Sequence, residues 1–168
     1  MNTLTKGFFL IMLALLAVSC STSNQDQVDE PKQTNSQKAI QRLHDSPFQL
    51  KDYHGEILLV AYWATWCKPC VTEVPTLIEL QNKYGDEDFT VIGISVDKSQ
   101  TLVKKFIAKK GINYPVYMAD ESVEQIFGTI FGLPTTFLLD ANGEIIQKNL
   151  EYLPPEGLEM TIRSIMKK

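Results

Sequence analysis

From about residue 46 onward, apolar and polar positions alternate in blocks whose periods predict strands and helices in turn. Glu56 to Trp63 is a nearly unbroken apolar run and reads as a buried strand. Cys67 to Tyr84 has helical periodicity, and Phe89 to Asp97 reads as a second strand. Ser99 to Lys110 predicts a helix stopped by Gly111, Tyr114 to Met118 a short extended piece, and Glu121 to Phe127 a helix stopped by Gly128. Thr135 to Asp140 and Glu144 to Asn149 flank Ala141-Asn142-Gly143, where Asn-Gly favours a tight hairpin and antiparallel pairing. A last helix runs from about Pro155 to Met166. The order implies an α/β fold, a mixed central sheet with helices on both faces.

The first stretch follows a different pattern. Met1 to Ser19 has one positive charge, Lys6, and then an apolar run from Gly7 to Val18 that is too short to span a bilayer and has signal-peptide length. Leu16-Ala17-Val18-Ser19-Cys20 resembles the lipobox of bacterial lipoprotein signal peptides, with Ala17 where Leu is commonest. The resemblance implies removal of residues 1–19 and lipidation of Cys20, which also accounts for a thiol otherwise left unpaired. Residues 20–38 are rich in Ser, Thr, Asn, Gln and acids, and read as a flexible tether. A secreted protein with a free cysteine and an uncleaved anchor are the alternatives, and all three readings put the folded domain, residues 39–168, outside the cytoplasm.

Composition narrows the function. With 16 basic against 20 acidic residues and no basic stripe, the chain lacks the footprint of a nucleic-acid binder. Lys104, Lys105, Lys109 and Lys110 read as the solvated face of a helix. No phosphate-binding glycine loop and no His-Glu helical metal pair is present, so chemistry falls to the cysteines.

Cys67 and Cys70 stand at the start of a predicted helix in Trp66-Cys67-Lys68-Pro69-Cys70. The spacing permits a small disulfide, and the helix dipole lowers the pKa of the first thiol. Pro69 suits the first helical turn, and Lys68 adds a nearby positive charge. Two plainer readings compete. A zinc site needs about four ligands, but the chain offers only His44 and His54, both upstream, which look like surface or loop residues in polar surroundings. A purely structural bridge would gain little by closing so short a loop. No metal and no cofactor is implied.

Trp63-Ala64-Thr65-Trp66-Cys67-Lys68-Pro69-Cys70-Val71-Thr72-Glu73-Val74-Pro75 strongly resembles the active-site segment of thioredoxin-fold proteins, specifically the TlpA/ResA-type membrane-anchored thiol-disulfide oxidoreductases. Gly132-Leu133-Pro134-Thr135-Thr136-Phe137 is similar to the same family's second motif, in which the proline is cis and faces the dithiol. The resemblance covers Phe48 to the C-terminus and implies a thioredoxin-like fold. The family's N-terminal hairpin is partly missing, which leaves Lys38 to Leu50 without a place.

By this resemblance Cys67 is the attacking thiolate, Cys70 the resolving thiol, and the pair a redox-active disulfide. Trp66 shapes the contact surface, and Leu133 with Pro134 presents backbone to an extended substrate chain. Glu73, one turn beyond Cys70, is the implied proton acceptor; ordinary thioredoxins have instead a buried Asp on the preceding strand, where Ala61 stands here. Pro75 inside the helix predicts a kink.

The function so implied is reduction of disulfides in exported proteins, with cytochrome c apoproteins as known family substrates and a membrane dithiol as electron donor. The alternatives are an oxidase or isomerase of the same fold, which often has His between the cysteines, and a non-enzymatic binding or copper-delivery module, which spaces its cysteines by three and adds a downstream His. A peroxidase would carry a lone cysteine preceded by Thr. None of these features is present.

Overall fold

The computed structural model describes residues 42–166. The expected signal peptide, Cys20 and the tether lie outside the described residues. Five strands, β1 (Ile57–Trp63), β2 (Phe89–Ser95), β3 (Val116–Met118), β4 (Thr135–Leu139) and β5 (Ile145–Asn149), form one sheet in the order β3-β2-β1-β4-β5. Four helices accompany them: α1 (Lys68–Tyr84), α2 (Gln100–Lys110), α3 (Glu121–Phe127) and α4 (Pro155–Met166). β1 pairs in parallel with β2 and β2 with β3, whereas β4 runs antiparallel to both β1 and β5.

The connections decide which face each helix covers. α1 and α2 both cross over in the same direction across the sheet, and right-handed crossovers of that kind lie on one face. Val74, Leu77 and Leu80 of α1, Val103 and Ile107 of α2, and Leu158 and Ile162 of α4 therefore share one core with Leu59, Ala61 and Trp63 of β1. The chain then returns from β3 past β1 to β4, which carries α3 to the opposite face. There Val123 and Phe127 pack with Phe48, Leu58, Val60, Tyr62 and Phe137. β1 is buried at all seven positions because both of its faces are covered, as its unbroken apolar run predicts.

The ends of the elements follow local chemistry. Ser99 caps α2 by accepting the Leu102 N–H at 3.4 Å, and Gly111 stops it at φ +67°. The β4–β5 connection is organised by Asp140, whose Oδ1 accepts the N–H groups of Asn142 at 2.9 Å and Glu144 at 3.0 Å, with Gly143 at φ +84°. A register shift between Leu138 and Leu139 accompanies the turn.

The segment before β1, unplaced in the sequence, extends the sheet edge. Leu43 bridges in parallel to Val116; Val116 N–H donates to the Arg42 carbonyl at 2.7 Å, and His44 N–H to the Val116 carbonyl at 2.9 Å. Phe48 then enters the second core at 1% exposure, and a short 3-10 turn over Leu50–Tyr53 is fastened by a 2.8 Å contact between the Tyr53 and Tyr117 hydroxyls. His44 lies in a loop, as expected, but its surroundings are aromatic rather than polar. It is half-buried, its ring stacked on Tyr117 at 4.5 Å, because pairing beside β3 lays it over that aromatic face. His54 is exposed, as read.

Candidate active site

β1 ends at Trp63, and Ala64-Thr65-Trp66 turns the chain into α1. A carboxylate from the neighbouring strand end holds this turn. Asp97 accepts the Thr65 N–H at 2.8 Å, the Thr65 hydroxyl at 2.7 Å and the Ser95 hydroxyl at 2.9 Å. At 8% exposure it is removed from water, and three donors satisfy it. The sequence reading took Asp97 only as the end of a strand.

Cys67 occupies the N-cap of α1. Its Sγ accepts the Cys70 N–H at 3.3 Å, and it is disulfide-bonded to Cys70 with the Cα atoms 5.3 Å apart. Pro69 sits in the first turn and loses no helical bond there. Both cysteines are buried, Cys67 at 6% and Cys70 at 2% exposure, and of the two only Cys67 lines an open groove.

The groove has a volume of about 520 Å³ and is walled by Trp66, Cys67, Pro69, Val96, Phe131 and Leu133. Trp66 is 69% exposed and Phe131 94% exposed. The Leu133–Pro134 bond is cis and Pro134 is buried beneath the groove loop, where the Thr135 hydroxyl donates to the Gly132 carbonyl at 2.8 Å. Structure thus brings Trp66, Cys67 and Leu133 to one surface. It adds Phe131, which sequence reasoning missed. The available signal was an aromatic residue between Gly128 and Gly132, outside any periodic segment.

Glu73 lies on the inner face of α1 at 2% exposure. Desolvation raises its pKa from the ordinary 4.5 to about 7, opposed by the Leu153 backbone amide. Its Oε1 has no hydrogen-bond partner among the described residues. Tyr114, fully buried, has its hydroxyl pKa raised well above the ordinary value by burial and then by the Glu73 charge. α1 continues across Pro75, whose side is exposed. Among the described residues no group of His, Cys, Asp and Glu is placed to hold a metal ion, and no helix is long and apolar enough to cross a membrane.

The family model described as Redoxin matches residues 27–164. The chain belongs to the Redoxin family. The thiol-disulfide oxidoreductase ResA of Bacillus thuringiensis (strain Al Hakam) is 33% identical over 125 residues, 73% of this chain and 71% of that protein. Among solved structures, a thiol:disulfide interchange protein of the thioredoxin family from Chlorobium tepidum TLS superposes with a TM-score of 0.67 at 29% identity, over 72% of this chain and 87% of that one. A DsbF homologue from Corynebacterium diphtheriae gives 0.63 at 29% identity, over 70% and 76%. This redoxin is an extracytoplasmic thiol-disulfide oxidoreductase of the ResA/TlpA type, with a thioredoxin-like fold and a Cys67-Cys70 redox centre.

Burial of Glu73 makes stability depend on pH. Because the folded chain holds that proton more tightly than the unfolded one, the stabilisation is complete below pH 4.5 and is lost as pH rises to about 7. That interval corresponds to about 3 kcal/mol. Urea denaturation of the oxidised protein across pH 4 to 8, within the roughly one-unit reach of each transition, should show this loss in the native chain and its absence in Glu73→Gln. Equal pH dependence in both would mean that Glu73 titrates normally.

Proposed function

We propose that this oxidoreductase is a lipid-tethered reductase: a membrane dithiol supplies it with electrons, and it reduces disulfides in exported proteins, apocytochromes c among them. The observation that carries the reading is the asymmetry of the dithiol. Cys67 opens onto an apolar groove, and Cys70 is enclosed with the raised-pKa carboxylate of Glu73 one helical turn away. The absence of a histidine between the cysteines supports the reducing direction.

In the reduced enzyme the N-terminus of α1 stabilises the Cys67 thiolate. That thiolate attacks one sulfur of a substrate disulfide held on Trp66, Phe131 and Leu133. The S–S bond breaks, and the other substrate sulfur leaves as a thiolate and takes a proton from solvent. Cys70 then attacks Cys67 Sγ in the mixed disulfide, and its proton passes to the Glu73 carboxylate. The second substrate sulfur departs and is protonated in turn. The substrate has gained two electrons and two protons, and Cys67-Cys70 is closed again until the membrane dithiol reduces it.

Glu73 with a pKa of about 7 is suited to the transfer because it both accepts and returns a proton near neutral pH. Backbone at Leu133, before cis-Pro134, offers hydrogen-bonding groups to an extended substrate chain. Lipid on Cys20 and the polar stretch to residue 38 would keep the domain near the membrane while letting it reach its partners.

Three measurements test the parts separately. Cys70→Ser should accumulate a mixed disulfide through Cys67, and mass spectrometry of the trapped adducts should identify exported cysteine proteins and the membrane donor; recovery of neither would remove the reductase reading. Glu73→Gln should slow resolution of the mixed disulfide about 100-fold near neutral pH, the lower range for a general base. Rapid-quench rates equal to those of the native enzyme would exclude the proton transfer. Cys20→Ser should move the protein from the membrane to the soluble fraction, and retention in the membrane would rule out lipid at Cys20.

A further inference from the structure

Beside the dithiol groove, on the α3 face of the sheet, lies a second depression of about 320 Å³. Val96 and Ile130 line both hollows, so the two adjoin across these side chains. Asp120 and Glu124 stand on its wall, and no Lys, Arg or His does. Its floor includes Tyr62, 2% exposed, whose hydroxyl has no hydrogen-bond partner among the described residues. A buried hydroxyl without a partner is unfavourable, and this one lines the hollow, where a ligand can pair with it.

Each carboxylate is only partly occupied. Asp120 Oδ1 accepts the Val123 N–H at 3.1 Å and the Ser122 hydroxyl at 2.5 Å, while Glu124 Oε1 accepts the Thr129 hydroxyl at 2.7 Å. One oxygen of each remains for a ligand. Two carboxylate oxygens and a neutral phenol are too few for calcium, which takes six to eight oxygens. They suit an ammonium or guanidinium group, which carries several donors and has an aliphatic stem that Val96 and Ile130 can cover. Burial, and then the charges of Asp120 and Glu124, hold the Tyr62 hydroxyl in its neutral form.

We propose that this depression is a specificity subsite that takes a lysine or arginine side chain of the substrate polypeptide while the substrate's cysteine is engaged by Cys67. The inference rests on the reductase reading. It adds to that reading a preference for disulfides flanked by a basic residue. The groove alone recognises apolar bulk and backbone; the subsite adds charge, and with it discrimination among exported proteins.

The test uses the reduced full-length protein and cysteine peptides carried as mixed disulfides with glutathione, with lysine or norleucine placed at each flanking position in turn. At one position, in low salt, the lysine peptide should be reduced about five-fold faster, equivalent to about 1 kcal/mol. Added salt should shrink the ratio. Glu124→Gln should bring it to about one, and Tyr62→Phe should cut it by about half; Glu121→Gln, on the same helix but outside the hollow, should leave it unchanged. A ratio near one at every position, or a preference that survives both Glu124→Gln and Tyr62→Phe, overturns the subsite. Failure to reduce even the norleucine peptides would instead overturn the reductase reading beneath it.

Discussion

The burial of β1 on both faces is the constraint on which the rest of the molecule depends. Seven consecutive buried residues require a helix layer on each side, and the right-handed crossovers through α1 and α2 supply one while the return through α3 supplies the other. The chain leaves this strand at the carboxyl end of a parallel pair and enters α1 directly. The turn, the first cysteine and the helix N-terminus are thereby placed at the rim of the sheet. Asp97, at the corresponding end of β2, completes the rim by gripping Thr65. The dithiol stands at the start of α1, whose entry turn is braced by the ends of two adjacent strands, which suits a group that must present one sulfur and withhold the other.

Glu73 and the thiols share an environment that the same packing creates. α1 packs against the sheet, chiefly along β2, because Val74, Leu77 and Leu80 need its apolar face, and that orientation turns Glu73 inward as well. Ala61, where ordinary thioredoxins have a carboxylate, is small and 1% exposed. Here the buried carboxylate is on the helix instead, at Glu73. Desolvation is the larger influence on its pKa, so the value belongs to the packed helix and not to a local charge partner.

On the outer side, Trp66 and Phe131 leave large apolar surfaces in water next to the reactive sulfur. Such exposure is unfavourable unless a partner covers it, and in the proposed function that partner is an extended substrate chain. In the subsite proposed above, the acidic hollow beside it supplies the discrimination.

The sequence alone was enough for the order and type of the elements and the redox pair, and its resemblance to a family motif for the cis-proline loop. Strand and helix periods, the capping residues and the Cys67-Lys68-Pro69-Cys70 turn are set by near neighbours along the chain, and the signal is local. What only the tertiary structure decided depends on partners far apart in sequence. Asp97 meets Thr65 across a separation of 32 residues, Leu43 pairs beside Val116, and His44 stacks on Tyr117. The exposure of Phe131 and the unpaired hydroxyl of Tyr62 are likewise properties of what does not pack against them. Periodicity reports which face of an element is apolar; it carries no record of which distant group closes over that face, and the chemistry of this site lies in those closures.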